Sequence, residues 1–249
     1  MVDTDRAWEQ VAQTDPYWGV LTSDEFLGEG LDADTERAFF ASGEAHIAHV
    51  LEVIRAQLQP DFAPTSALDY GCGVGRLLLP LAGVAARVVG VDVSDSMMAK
   101  AAGHLTAAGY ASVSLIKPEQ LSAIEPVELI HSTIVLQHIH PKRGMAIVEQ
   151  LLGVLAPGGC GSLQFHLRGD GGQAVRLSRR ILEESQAINV LAVKVLRRPA
   201  REALVLMHPY DLTEIIRLLA LHGIADSFIE TVARPTGYTD ATVYFRKPE

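Results

Sequence analysis

From residue 66 to residue 167 the chain repeats one unit: a short apolar run, a turn, then a stretch with helical spacing. No other feature of the sequence constrains the fold as much. Short runs that are apolar throughout suit strands buried on both faces, and joining such strands through helices makes neighbours parallel. The pattern predicts strands at 67–70, 87–92, 112–116, 127–132 and 161–167. Helices fall between them at 76–82, 96–108 and 142–155, the last ended by Pro157-Gly158-Gly159. Further on, 210–222 reads as a helix stopped at Gly223, and 224–232 and 241–246 read as strands. The turn from Pro235 to Asp240 between those two strands is short enough to favour an antiparallel pair. The expected fold class is α/β, a seven-stranded mostly parallel sheet with an antiparallel last strand and helices on both faces.

Residues 1–64 read as a helical N-terminal cover. Within them, 38–58 carries Phe39, Ile47, Val50, Leu51, Ile54 and Leu58 at helical spacing, so one face packs on the body of the domain. The aromatic cluster Trp8, Tyr17, Trp18, Phe26, Phe39 and Phe40 caps the core, or through Tyr17 or Phe40 covers a ligand. Residues 65–249 form the main domain, with a helical insertion at about 170–207. A chain of 249 residues, 48% hydrophobic and 20% charged, suffices to fill one such domain. Its net charge of -9 runs against the basic face that nucleic acid requires. No apolar run approaches the roughly 20 residues of a membrane span. The start lacks a basic segment followed by an apolar stretch, so cytoplasmic residence without membrane insertion is the expectation. Cys72 and Cys160, each in a Gly-Cys-Gly turn, provide neither a disulfide framework nor a Cys-x-x-Cys metal site, and no metal is expected.

The segment Leu68-Asp-Tyr-Gly-Cys-Gly-Val-Gly-Arg76 puts an acid at the mouth of the first strand and three alternating glycines ahead of a helix. Glycines there permit positive φ and let a ligand lie against backbone, while the helix start offers free amide donors. The dinucleotide fingerprint Gly-x-Gly-x-x-Gly would need glycine where Arg76 stands. The second strand, Val88-Val-Gly-Val-Asp92, ends in an acid about 20 residues past the loop, the separation at which a carboxylate meets ribose hydroxyls.

Asp69, the glycines at 71, 73 and 75, and Asp92 together resemble the first motifs of the class I S-adenosylmethionine-dependent methyltransferases. Glu128-Leu-Ile-His-Ser-Thr-Ile-Val-Leu-Gln-His-Ile139 resembles that family's fourth strand and the loop beside the reactive sulfonium. Residues 151–165 resemble the segment leading into its fifth strand, so the likeness spans about 65–167. The resemblance implies a Rossmann-like sheet, S-adenosyl-L-methionine as cofactor and S-adenosyl-L-homocysteine as product. It also implies roles. Asp69 meets the amino end of the methionine moiety, bordered by Gly71, Cys72, Gly73 and Gly75; Asp92 takes the ribose; Val93 and Met97 pack near the adenine; Ser132 and Thr133 line the floor. Where many relatives carry an aspartate after the third strand this chain has Lys117, which shifts the adenine contact to Glu119 or Gln120.

Methyl transfer is an in-line displacement in which positioning alone is worth roughly 7 to 11 kcal/mol. A hydroxyl acceptor needs a base, and histidine suits that role near neutral pH. His138 follows the fourth strand on the carboxyl edge of the sheet, where ligands of such folds bind, and is the first choice. His166, ending the fifth strand, is the second, and each has the alternative of a structural hydrogen-bonding residue. His131 falls within a strand and is expected in the core, whereas His208 and Tyr210 are placed to reach the pocket from above. The insertion carries Arg176, Arg179, Arg180, Lys194, Arg197, Arg198 and Arg201 against Glu183, Glu184 and Glu202. Such a run is a solvated helix face, or a lid whose guanidinium forks grip a carboxylate or phosphate on the acceptor. Its apolar stretch at 188–196 covers the pocket or pairs two copies as a homodimer. The expected activity is O- or N-methylation of a small molecule, a sugar, glycan precursor or secondary metabolite, with an anionic acceptor in view and no nucleic acid. The alternative is a cofactor-binding scaffold without turnover.

Overall fold

The computed structural model describes residues 4–110, 112–167, 207–234 and 238–249. The expected insertion at 170–207, Met207 apart, therefore lies outside the described residues with its arginines and its apolar stretch, as do residues 235–237 of the final turn.

Seven strands form one sheet: β1 (Ser66–Tyr70), β2 (Arg87–Val91), β3 (Ser114–Ile116), β4 (Val127–Ser132), β5 (Leu155–Leu167), β6 (Ser227–Ala233) and β7 (Thr239–Arg246). Their order is β3-β2-β1-β4-β5-β7-β6. The ladders from β3 to β5 are parallel, and β7 runs antiparallel to both β5 and β6. A single reversed strand is what the sequence pattern predicts; its insertion between β5 and β6 is not. Burial explains that placement. β7 contributes Ala241, Val243, Tyr244 and Phe245 to the core, while β6 buries none of its residues and takes the edge, where Glu230 and Thr231 meet water.

The helices are α1 (Thr4–Thr14), α2 (Pro16–Val20), α3 (Ala33–Gln57), α4 (Leu78–Val84), α5 (Asp95–Ala107), α6 (Pro141–Val154) and α7 (Leu212–Leu221). α3 begins five residues before the expected start at 38, because the Asp32 carboxylate caps it by accepting from the Asp34 and Thr35 amides. Its Ile47, Val50 and Ile54 pack with Ala67 of β1, Leu129 of β4 and Leu78 of α4 on one face of the sheet. On the opposite face Leu68 and Ile130 pack with Val148 and Leu151 of α6 and Ile215 of α7. Fully burying each such side chain contributes about 1.5–3 kcal/mol.

One expected boundary is corrected. α6 ends at Val154, and Pro157-Gly158-Gly159 lies inside β5 and not at the helix terminus. Residues ahead of proline are driven to extended backbone. The chain enters the strand at once, and between the Val127–Leu155 and Leu129–Cys160 pairs β5 takes five steps against two on β4. The excess forms a bulge around Gly158, whose φ is 73°. Among the described residues no helix is long and apolar enough to cross a membrane.

Candidate functional site

β1 delivers the chain to a loop in which Gly71, Gly73 and Gly75 all have positive φ, at 78°, 53° and 91°. Only glycine takes that conformation without strain. The amides of Gly71 and Cys72 both donate to the Val91 carbonyl, at 2.7 and 3.0 Å, which ties the loop to the end of β2. A Cβ on Gly71 would lie 2.2 Å from the Val135 side chain, and one on Gly73 would lie 2.7 Å from Val20. Gly75 serves the packing of the domain instead, since its bare Cα lets α5 approach; a Cβ there would lie 3.3 Å from Ala101.

Asp92 follows β2 and turns back onto this loop. Its Oδ2 accepts from the Gly73 amide at 2.8 Å and its Oδ1 from the Ser94 amide at 2.9 Å. Each oxygen keeps a lone pair for a further donor. Burial raises its pKa above the ordinary carboxylate value, against the pull of the Ser94 and Gly73 amides and with a contribution from the negative charge of Asp69. The side chain is only partly exposed and sits on the wall of a cleft of about 720 Å³, open mouth included.

Gly71, Gly73, Asp92, Val93, Met97 and Thr133 line this cleft, and so does His138. The remaining residues expected at the cofactor are not part of the lining. Cys72 turns into the core against Gly90, and burial pushes its thiol well up, so it presents no reactive thiolate. Ser132 spends its hydroxyl on the Tyr70 carbonyl at 2.8 Å, joining β4 to β1. Glu119 and Gln120 are exposed on a short 3-10 helix, Pro118–Ala123, where the Gln120 side chain accepts from the Lys117 amide; Pro118 is the residue of that helix that meets the cleft. Lys117 binds the Val93 carbonyl at 2.8 Å and Asp95 at 2.7 Å, so it fastens the loop after β2. Asp69 lies behind the lining. Its Oδ1 is 2.8 Å from His131 Nδ1, and its Oδ2 is buried without a partner.

The two expected bases occupy different surroundings. His138 is on the cleft wall, with the Gln137 amide nitrogen 3.1 Å from its Nε2 and the Trp8 ring edge-on at 5.0 Å. His166 lies apart from the cleft. It is 2% exposed and faces Asp240 across the β5–β7 ladder, with Nδ1 2.7 Å from Asp240 Oδ1. Burial raises the Asp240 pKa, but hydrogen bonds from His166 and Arg234 outweigh it and the net shift is downward. His208 and Tyr210 do not enter the cleft from above. The Tyr210 hydroxyl sits 2.9 Å from the Leu136 and Ile139 carbonyls and the His208 amide donates to Gln137, so both brace the loop carrying His138 from behind.

Several lining residues escaped sequence reasoning. The aromatics at the cleft are Trp8 of α1 and Tyr70 of β1, not Tyr17 or Phe40; Tyr17 bonds His104 at 3.1 Å and packs on Phe39. α1 brings Thr4, Asp5 and Trp8 to the wall because its first turn and its middle are tied to α6 and α5. Asp5 pairs with both terminal nitrogens of Arg143 on α6 at 2.7 and 2.8 Å. Glu9 accepts from the Ser94 hydroxyl at 2.7 Å and from the Ser96 hydroxyl at 2.5 Å, at the start of α5. Burial works to raise the Glu9 pKa, but hydrogen bonds from the Ser96 and Ser94 hydroxyls, the Ser96 amide and Gln13 bring it down to about 2. Beyond β4, Ile134 holds φ at 59°, a conformation costing about 1–3 kcal/mol for a β-branched residue. Gln164 enforces it by accepting from both the Thr133 hydroxyl and the Ile134 amide at 2.7 Å.

These donors and acceptors fit a nucleoside sulfonium. The glycines leave bare backbone, Asp92 retains acceptor capacity for two hydroxyls, Val93, Met97 and Pro118 offer an apolar slot for a planar base, and Asp69 keeps one oxygen for a cationic donor. Among the described residues no group of three or more His, Cys, Asp or Glu side chains is arranged to hold a metal ion.

The comparisons with known proteins agree with this geometry. A family model described as a methyltransferase domain matches residues 67–159. No curated protein matches the chain. Among solved structures, the N-methyltransferase NodS of Bradyrhizobium japonicum, in complex with S-adenosyl-L-homocysteine, superposes with a TM-score of 0.60 at 16% identity over 100% of both chains. Magnesium protoporphyrin IX methyltransferase of Synechocystis, with bound S-adenosylmethionine, gives 0.59 at 14% identity over 99% of this chain and 98% of the other. Phosphoethanolamine N-methyltransferase 2 of Haemonchus contortus, in complex with S-adenosyl-L-methionine, gives 0.62 at 14% identity over 100% of this chain and 61% of the other. With the glycine loop, the Asp92 carboxylate and the sheet order in place, residues 67–159 carry a methyltransferase domain, and the chain as a whole has the fold of methyltransferases solved with S-adenosylmethionine or S-adenosylhomocysteine bound.

Proposed function

We propose that this chain methylates an oxygen or nitrogen of a small molecule and that His138 accepts the proton the acceptor gives up. The observation that carries the proposal is that His138 shares one cleft with the glycine loop and Asp92. When bound, S-adenosylmethionine supplies an electrophilic methyl carbon on a positively charged sulfur. The chain contributes placement. Asp92 accepts from the ribose hydroxyls, the Gly71 and Gly73 backbone borders the methionine end, and Val93, Met97 and Pro118 flank the adenine. Thr133, held by Gln164, forms the floor. Trp8 and the rest of α1 screen the cleft from water, the part we assign to residues 1–64 as a cover on the domain at 65–249. The Gln137 amide donating to His138 Nε2 places the proton of a neutral ring on Nδ1, so Nε2 carries the lone pair that an acceptor hydroxyl would take over from Gln137.

Two of the similar structures are named for small acceptors, magnesium protoporphyrin IX and phosphoethanolamine, which supports a small molecule over a polymer. The acceptor we infer is a sugar, glycan precursor or secondary metabolite, anionic ones included, met in the cytoplasm. The test is formation of S-adenosylhomocysteine from a panel of small acceptors, with DNA, RNA and protein as controls. His138→Asn should lower kcat by about 10² to 10⁴ for a hydroxyl acceptor while leaving S-adenosylhomocysteine affinity within about threefold. Unchanged kcat would return His138 to a structural role, and tight cofactor binding with no product from any acceptor would favour a scaffold.

A further inference from the structure

Asp69 belongs to the glycine-loop motif, yet it is 2% exposed and its surroundings are built from elements outside that motif. It pairs in register with His131 of β4, and partners in a parallel ladder project to the same face. That face is the one α3 covers, since Ala67 and Leu129, two residues back on each strand, pack with Ile47 and Val50. His131 is 1% exposed, its Nδ1 2.8 Å from Asp69 Oδ1 and its Nε2 2.9 Å from Nε2 of His46 on α3. A carboxylate only accepts, so the Nδ1 atom of His131 donates to it. The two facing Nε2 atoms can hold only one proton between them, because a second would set N–H against N–H. Burial, and then the charges of His131, Arg76 and His49, hold His46 down to about 3. The buried guanidinium of Arg76, fixed to Ser42 at 3.2 Å, supplies positive charge that Asp69 stabilises. An ordered relay therefore runs from α3 through β4 to β1.

The relay engages only one of the two carboxylate oxygens. Asp69 Oδ2 is buried and has no partner, an arrangement that disfavours the fold unless a donor arrives. We propose that His46 and His131 are positioning residues that turn Asp69 so that Oδ2 receives the ammonium of the cofactor's methionine end, directly or through one water. This rests on Asp69 being the residue that meets that ammonium. Neither histidine touches the reacting atoms; they act on cofactor affinity through Asp69, and His46 makes that affinity depend on the helix that covers the sheet.

The test compares two ligands on the full-length chain by calorimetry: S-adenosylhomocysteine, and 5′-methylthioadenosine, which keeps the nucleoside and thioether but lacks the amino-acid group. His131→Leu should raise the Kd for S-adenosylhomocysteine at least tenfold and change that for methylthioadenosine by less than threefold. His131→Asn, whose amide nitrogen can replace Nδ1, should bring S-adenosylhomocysteine binding back to within about threefold of the parent. Should His131→Leu fail to fold, His46→Leu on the partly exposed helix face repeats the test, with an expected three- to tenfold loss confined to S-adenosylhomocysteine. Equal losses for both ligands, or no loss for either, would overturn the proposal. Asp69→Asn separates the two layers. If it weakens S-adenosylhomocysteine alone while the histidine variants bind normally, the contact at Asp69 stands and the relay is wrong. If it leaves binding unchanged, the contact itself is wrong and the relay falls with it.

Discussion

Replacing Asp92 with asparagine should nearly abolish cofactor binding and leave the fold almost as stable as before. The carboxylate accepts one amide on each oxygen, from Gly73 and from Ser94. Asparagine keeps one of these bonds and turns an NH2 toward the other donor, and a buried unsatisfied group costs about 1–3 kcal/mol. Against that, burial raises the Asp92 pKa, so the folded chain disfavours the ionised form and gains when the charge is removed. The sign follows: a folded pKa above the unfolded value means the native state binds more protons, and stability at neutral pH is lost to the carboxylate, not contributed by it. The two effects oppose, so the net cost falls below that full penalty, and each 1 kcal/mol that remains is roughly 2–4 °C in Tm for a chain of this size. Binding has no such offset. Hydrogen bonds from two ribose hydroxyls to a carboxylate are worth about 1.5–3 kcal/mol each, and the amide retains one weaker acceptor. A net loss of about 3 kcal/mol is a Kd increase on the order of 10²-fold. Calorimetry with S-adenosylhomocysteine and a thermal melt of the same variant measure the two quantities. Affinity within threefold of the parent would move the ribose contact elsewhere, and a Tm drop beyond about 8 °C would make Asp92 a structural residue of the loop.

Glu9 should matter to the acid limb of stability. Its folded pKa is depressed from 4.5 to about 2, so the contribution is present above about pH 4.5 and fades as pH falls toward 2. Because the group retains access to water, about 1–2 kcal/mol is the expected size. Glu9→Gln should therefore melt lower than the parent at pH 7 and converge with it near pH 2, and a constant difference across that range would count against the assignment. Gly144→Ala would place a Cβ 1.8 Å from the Tyr210 hydroxyl. It should destabilise by about 1–3 kcal/mol through overpacking and loosen the loop that carries His138; an unshifted Tm would refute it. Gly71→Ala combines positive φ with a clash on Val135, and should cut S-adenosylhomocysteine affinity more than tenfold in a direct titration, whereas normal affinity would show that the loop yields freely.

What could be read from the linear chain was whatever repeats locally or sits within one turn of a strand end. The strand and helix succession from 66 to 167 follows from period and punctuation, and the glycine loop followed at the right interval by Asp92 announces its ligand, because backbone conformation and a neighbouring carboxylate are encoded within about 25 residues. Tertiary structure decided the rest. β7 enters between β5 and β6 because the more apolar strand takes the interior, a competition invisible to the order of the chain. Trp8 reaches the cleft because Glu9 and Asp5 bind α5 and α6, some 85 and 138 residues away. His131 reads as an apolar-strand interruption until register sets it beside Asp69 and α3 lays His46 against it. Periodicity reports which face a residue occupies, but hydrogen bonds between distant segments depend on register and packing that only the assembled chain creates, and those bonds choose which candidate residues share a site.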